Sequence, residues 1–130
     1  MQNAKYSRGQ VWSYRARPSE EKSRLYIVRV DTNQKLDNIY HIFVDNLSLK
    51  NPHAETGIQD VLPHAPVSGK TLDASVIDLI ETRDTNLPNI SEGYKIWREA
   101  FDKGEGGVFT IPVAEIIQYI EDIVNGKTDG

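Results

Sequence analysis

Leu25-Tyr26-Ile27-Val28-Arg29-Val30-Asp31, the polar run Thr32–Asn38 and then Ile39-Tyr40-His41-Ile42-Phe43-Val44 decide how this chain reads. Both flanking runs are rich in β-branched and aromatic residues, which suit a pleated, half-buried strand. A parallel partner would need a crossover of roughly a dozen residues or more, so the short polar connection predicts an antiparallel hairpin. Upstream, Val11–Arg17 is a third run of the same kind, separated by the turn-rich Pro18-Ser19-Glu20-Glu21-Lys22-Ser23. Downstream, the strand that begins at Ile39 is expected to run to Leu49. The three runs predict a meander.

Period-two alternation assigns faces. One face collects Trp12, Tyr14 and Ala16, then Tyr26, Val28 and Val30, then Tyr40, Ile42 and Val44, and is read as the core face. The other collects Val11, Ser13, Arg15 and Arg17, then Leu25, Ile27 and Arg29, then Ile39, His41, Phe43 and Asp45, and is mixed. Matching the apolar faces pairs Tyr14 with Val28 and Val28 with Ile42, which sets Ser13 opposite Arg29 and Arg29 opposite His41. Residues 50–70 hold Pro52, Pro63, Pro66 and Gly69 with no persistent period, and read as a long irregular connection.

The second half reads as helical. Leu72, Val76, Leu79 and Ile80 fall at i, i+4, i+7 and i+8, predicting a helix over 71–83. A second helix runs from Ser91 to the stop at Gly104, with the stripe Ile90, Tyr94, Trp97 and Phe101. Val108–Ile111 reads as a fourth strand. A third helix begins at Pro112, with Val113, Ile116, Ile117, Ile120 and Val124 as its stripe and Gly126 as its stop. The expected fold class is therefore α+β: a three- to four-stranded antiparallel meander sheet with three helices packed on one face, in the order β-β-β-α-α-β-α. One domain is expected over 1–130, with 1–9 and 126–130 as flexible ends.

The length of 130 residues suits one domain. The chain has no cysteine, which excludes a disulfide framework, a thiolate zinc site and a cysteine nucleophile. Its beginning lacks a signal-peptide core, and its longest apolar runs are far below the ~20 residues needed to span a bilayer. The expected setting is cytoplasmic, without membrane contact. The net charge of −4 is uneven. Residues 1–35 carry eight Lys/Arg against three Asp/Glu, while 36–130 carry seven against sixteen. A basic front and an acidic back can complement one another within a fold or present a basic face to an anionic partner.

The chemistry-bearing patterns are sparse. Ser68-Gly69-Lys70-Thr71 ends like a phosphate-binding loop, but the earlier glycine position is His64, so it reads as a polar helix start. Val76-Ile77-Asp78-Leu79 is a faint acidic motif whose predicted helix turns Asp78 to solvent. His53, Glu55, Asp60 and His64 have metal-ligand chemistry without ligand spacing, so no metal site is assigned. Gly104-Glu105-Gly106-Gly107 follows a helix rather than a strand and reads as a turn. The aromatic residues fall on core stripes, and an acidic pI near 5.3 opposes nucleic-acid binding. No catalytic residue and no cofactor are expected. The mixed face is the remaining constellation, with Arg15, Arg29, His41 and Asp45 as candidate binding residues: arginine can hold an anion with paired hydrogen bonds, and histidine titrates near neutrality.

Gly9-Gln10-Val11-Trp12-Ser13-Tyr14-Arg15-Ala16-Arg17, Glu92-Gly93-Tyr94-Lys95-Ile96-Trp97-Arg98-Glu99-Ala100-Phe101 and Gly107-Val108-Phe109-Thr110-Ile111-Pro112 resemble a small family of uncharacterised bacterial proteins. The resemblance covers most of the chain and implies a stand-alone bacterial protein, with no activity or functional residue to carry over. The expected function is a non-enzymatic protein-interaction or binding domain, one form of which is an immunity- or antitoxin-like protein. The alternative is a small enzyme or anionic-ligand binder using the Arg15, Arg29 and His41 face.

Overall fold

The computed structural model describes residues 5–32 and 38–126; expectations for 1–4, 33–37 and 127–130 lie outside the described residues. The fold class is α+β. The meander forms as the sequence predicts: β1 (Gln10–Tyr14), β2 (Arg24–Asp31) and β3 (Ile39–Val44) pair antiparallel in succession. Two further strands extend the sheet to five. β6 (Leu62–Ser68) adds beside β3 and β7 (Val76–Thr82) beside β1, giving the order β6-β3-β2-β1-β7. β4 (Leu49–Lys50) and β5 (Ile58–Gln59) form a separate two-stranded ribbon.

Residues 50–70, expected to be irregular, therefore contain a sheet strand. Pro63 and Pro66 disguise it, because proline cannot donate to a ladder and is confined to edges. β6 is such an edge. The Pro66 carbonyl accepts from Phe109 N on the outer side, so the N–H that proline lacks would also have faced outward. The strand expected at Val108–Ile111 is reduced to a single parallel bridge, Val67 to Phe109, against this edge. Residues 5–9, expected to be flexible, enter the fold: Tyr6 is buried against Trp12 and Tyr40.

The helix expected over 71–83 divides. α1 (Gly69–Ser75) begins at Ser68, whose Oγ accepts from Thr71 N, and it ends where Val76 turns extended. From Val76 onward the β-branched Val76, Ile77, Ile80 and Thr82 run as β7 along β1. The helical spacing of Leu72 and Leu79 was a coincidence of two elements: Leu72 is fully buried while Leu79 is 47% exposed. α2 (Ser91–Asp102) and α3 (Val113–Val124) match their stripes closely.

The three helices do not share one face. Trp12, Tyr14, Leu25, Ile27, Tyr40, Ile42, Val44, Ala65 and Val67 pack with Leu72 of α1 and Val113, Ile116 and Ile117 of α3 in one core. α2 lies on the opposite side of the sheet, with Tyr94 and Trp97 against His41, whose strand neighbours Tyr40 and Ile42 point to the core. The physical reason is that the mixed face carries enough apolar and aromatic surface to need its own cover, and the aromatic stripe of α2 supplies it.

The register of β2 holds the fold's main local surprise. Leu25 pairs with Val44 and Ile27 with Ile42, but Arg29 pairs with His41. One residue, Val28, is extra. Such a bulge reverses which side the following residues face. Leu25 and Ile27 therefore point into the core, correcting the assignment of Tyr26 and Val28 to that face. Beyond the bulge Val30 turns inward, opposite Tyr40, as expected. Without the bulge, strict alternation through Val28 would place Arg29 and Asp31 on the side of Leu25 and Ile27, in the apolar core. The first hairpin is also displaced: Ser13 pairs with Arg24, not with Arg29.

Candidate functional site

The Val28 bulge places Arg29 and Asp31 under α2, beside His41 of β3. Asp31, the last residue of β2, is the hub. Its Oδ1 accepts from Arg29 Nε at 2.9 Å. Its Oδ2 accepts from the Tyr94 hydroxyl at 3.0 Å and lies 3.0 Å from His41 Nε2. Arg98, one turn beyond Tyr94 on α2, adds a guanidinium at 4.0 Å. Burial by itself would raise the Asp31 carboxyl's pKa, but the hydrogen bonds from Tyr94, Arg29 and His41 together outweigh it and hold the group below its ordinary value.

His41 is fully buried, and its Nδ1 lies 2.9 Å from Nε2 of His64 on β6. The protons follow by elimination. An ionised carboxylate only accepts, so His41 Nε2 carries the proton donated to Asp31. Neutral His41 then accepts at Nδ1 from His64 Nε2–H, which leaves the lone pair of His64 at Nδ1. Both rings prefer this neutral state. Burial lowers His41's pKa against the opposing pull of Asp31. Burial, and then the neighbouring His41, lower His64 to about 4. The two imidazoles lie near-coplanar at 11°, with Tyr94 and Trp97 edge-on to His41. Gly93 makes the close approach of α2 possible, because a Cβ there would stand 2.8 Å from the Cβ of His64.

The sequence-predicted residues divide. Arg29 and His41 meet as expected, now with Asp31, His64, Tyr94 and Arg98. Arg15 is exposed beyond β1, its backbone N–H on the Ser75 carbonyl. Asp45 accepts from Arg24 N and the Tyr26 hydroxyl, closing the β2–β3 end of the sheet. His64 belongs to this cluster rather than to a metal set with His53, Glu55 and Asp60, which are exposed; among the described residues no group of three or more His, Asp or Glu could hold a metal ion. Asp31 and Tyr94 were missed because Tyr94 read as core stripe and Asp31 as a strand end. The i, i+4 spacing of Tyr94 and Arg98 was their one legible sign.

One surface feature adjoins this centre and a second lies at the far edge of the sheet. Beside Arg29 and Tyr94 a cavity of about 500 Å³ opens between Val28, Arg8 and the segment leading into α2. Across the sheet, β7 ends the strand order, and Ile77, Leu79 and Ile80 are 54%, 47% and 48% exposed.

Fold and site together define a small α+β domain whose five-stranded antiparallel sheet is covered by helices on both faces. No protein-family model, curated protein or solved structure matches the chain. No helix among the described residues is long and apolar enough to cross a membrane.

Proposed function

We propose that the chain is a non-enzymatic protein-interaction domain that accepts an extended strand of a protein partner along the outer edge of β7. The supporting observation is the contrast between the two sheet edges. Edge strands offer a row of unpaired backbone groups, and proteins commonly blunt them with proline or cover them. β6 carries Pro63 and Pro66, and Phe109 exchanges backbone hydrogen bonds with Pro66 and Ser68 along it. β7 carries no proline, exposes three large aliphatic side chains, and has no strand beyond it among the described residues. Strand addition to such an edge takes its affinity from backbone hydrogen bonds and its specificity from alternate side chains. Asp78 on β7 favours a partner strand that brings a basic residue among β-branched ones, whereas the Glu81 carboxylate is held by Arg83.

An immunity- or antitoxin-like role, in which a small acidic chain docks on a target protein, is one form of this reading and rests on analogy. The bacterial, cytoplasmic setting implied by the resemblance of the sequence fits the same reading.

The test compares wild-type protein with the Ile77→Lys/Leu79→Lys variant as baits in a native extract. Both side chains are about half exposed, so each substitution is expected to change stability by about 0.5 kcal/mol or less. The proposal expects a specific protein bound by wild type and lost from the variant. Equal recovery with both baits, or none with either, contradicts it.

A further inference from the structure

We infer that the cavity between the Val28 bulge and the start of α2 binds a small organic anion, its carboxylate or phosphate held by Arg8 and Arg29 and its apolar body by Leu87, Pro88 and Tyr94.

The first ground is the chemistry of the wall. The chain has 19 Asp/Glu against 15 Lys/Arg, yet two arginines and no carboxylate line this cavity. Arg8 is exposed and has no acidic partner among the described residues. The second ground is preorganisation. Arg29 is fixed at Nε by Asp31 and lies with its guanidinium 4.3 Å from the centre of the Tyr94 ring. Its Nη1 and Nη2 make no hydrogen bond among the described residues. A guanidinium held in this way loses little freedom when it grips an anion with paired hydrogen bonds. Asp31 offsets one positive charge, the neutral histidines add none, and Arg8 leaves the wall with a surplus. The third ground is the bulge, a local distortion that recurs where a strand re-aims a side chain at a site. Here it turns Arg29 out of the core and toward the cavity. The volume of about 500 Å³ fits a small organic ligand, since such pockets span roughly 300–1,000 Å³. Leu87, Pro88, Ile90 and Val28 supply the apolar wall that an inorganic ion would leave unused.

The experiment is an NMR titration of the full chain with phenyl phosphate, benzoate and inorganic phosphate. The inference expects saturable amide shifts at Arg29, Ser91 and Tyr94 with phenyl phosphate, benzoate or both, and weaker binding of inorganic phosphate. Whichever organic probe binds tighter identifies the acid. Arg8→Gln lies on an exposed side chain and should leave the fold intact while weakening binding about tenfold or more. Arg29→Lys keeps the charge but loses the fork, and should also weaken it. The Ile77→Lys/Leu79→Lys variant should bind the probes as wild type does, which separates this site from the β7 edge. No saturable shift with either organic probe overturns the inference. So does unchanged affinity in Arg8→Gln, or inorganic phosphate binding as tightly as phenyl phosphate.

Discussion

Asp31 concentrates more of this structure's chemistry than any other side chain. It accepts from an arginine, a tyrosine and a buried histidine, and all three lose a charged acceptor if it is neutralised. Asp31→Asn is therefore expected to destabilise the chain by about 2–3 kcal/mol, read as a lower urea midpoint with an unchanged slope. The histidines set a pH dependence of definite sign. Their folded pKa values lie below the ordinary 6.5, His64 at about 4, so between pH 6.5 and 4 the unfolded chain binds more protons. Stability is then full above pH 6.5, falls as the pH drops toward 4, and flattens below. For partly exposed His64 the loss is about 2 kcal/mol, and urea titrations should show His64→Gln losing less stability than wild type between pH 7 and 4.5. Protonation of Asp31 adds a separate loss below pH 3.8.

At the scale of elements, the bulge in β2 is the decisive feature. Deleting Val28 would join Ile27 directly to Arg29, and regular alternation would keep Arg29 opposite His41 and Asp31 on the same side, away from the core. A retained folded spectrum by circular dichroism is the expected result, because both charges stay on the polar side of the strand; loss of the folded state would contradict the bulge assignment. The packing of α2 on the mixed face gives a second test. Gly93→Ala puts a methyl 2.8 Å from the His64 Cβ, between two backbones that cannot both yield. The expected cost is about 1–3 kcal/mol.

These elements also mark how far the sequence could be read. The meander, α2 and α3 were legible because each carries one dominant period along its whole length. β2 was half legible: Leu25, Tyr26, Ile27 and Val28 are all apolar, so alternation accepts either face and a one-residue bulge leaves no mark. β7 was misread because Val76, Leu79 and Ile80 satisfy a helical spacing, and only pairing with Trp12 and Tyr14 of β1 decides otherwise. β6 was hidden by the prolines that suit it to an edge. The Arg29–His41 pairing was legible from the second hairpin, whereas His64 could not join it until β6 was known to be a strand.

Over the whole molecule, long-range polar ties hold the layers together. Glu20, in the loop between β1 and β2, is buried. It receives Arg17 Nε and Nη2 at 2.8 and 2.7 Å and the Ser48 N–H at 2.7 Å, while Arg17 also reaches Glu121 of α3. Removing one partner of such a buried pair strands the other, so Glu20→Ala should cost about 3–5 kcal/mol by chemical denaturation. With both sheet faces covered and the β6 edge blunted, β7 is the one strand left with an open apolar edge among the described residues. Amide hydrogen exchange on the isolated chain tests this most directly. The account predicts slow exchange along β2 and β3, and fast exchange at alternate amides of β7 that becomes slow when the captured partner is added. Protection of all of β7 in the isolated chain, or no change there on adding the partner, would contradict it.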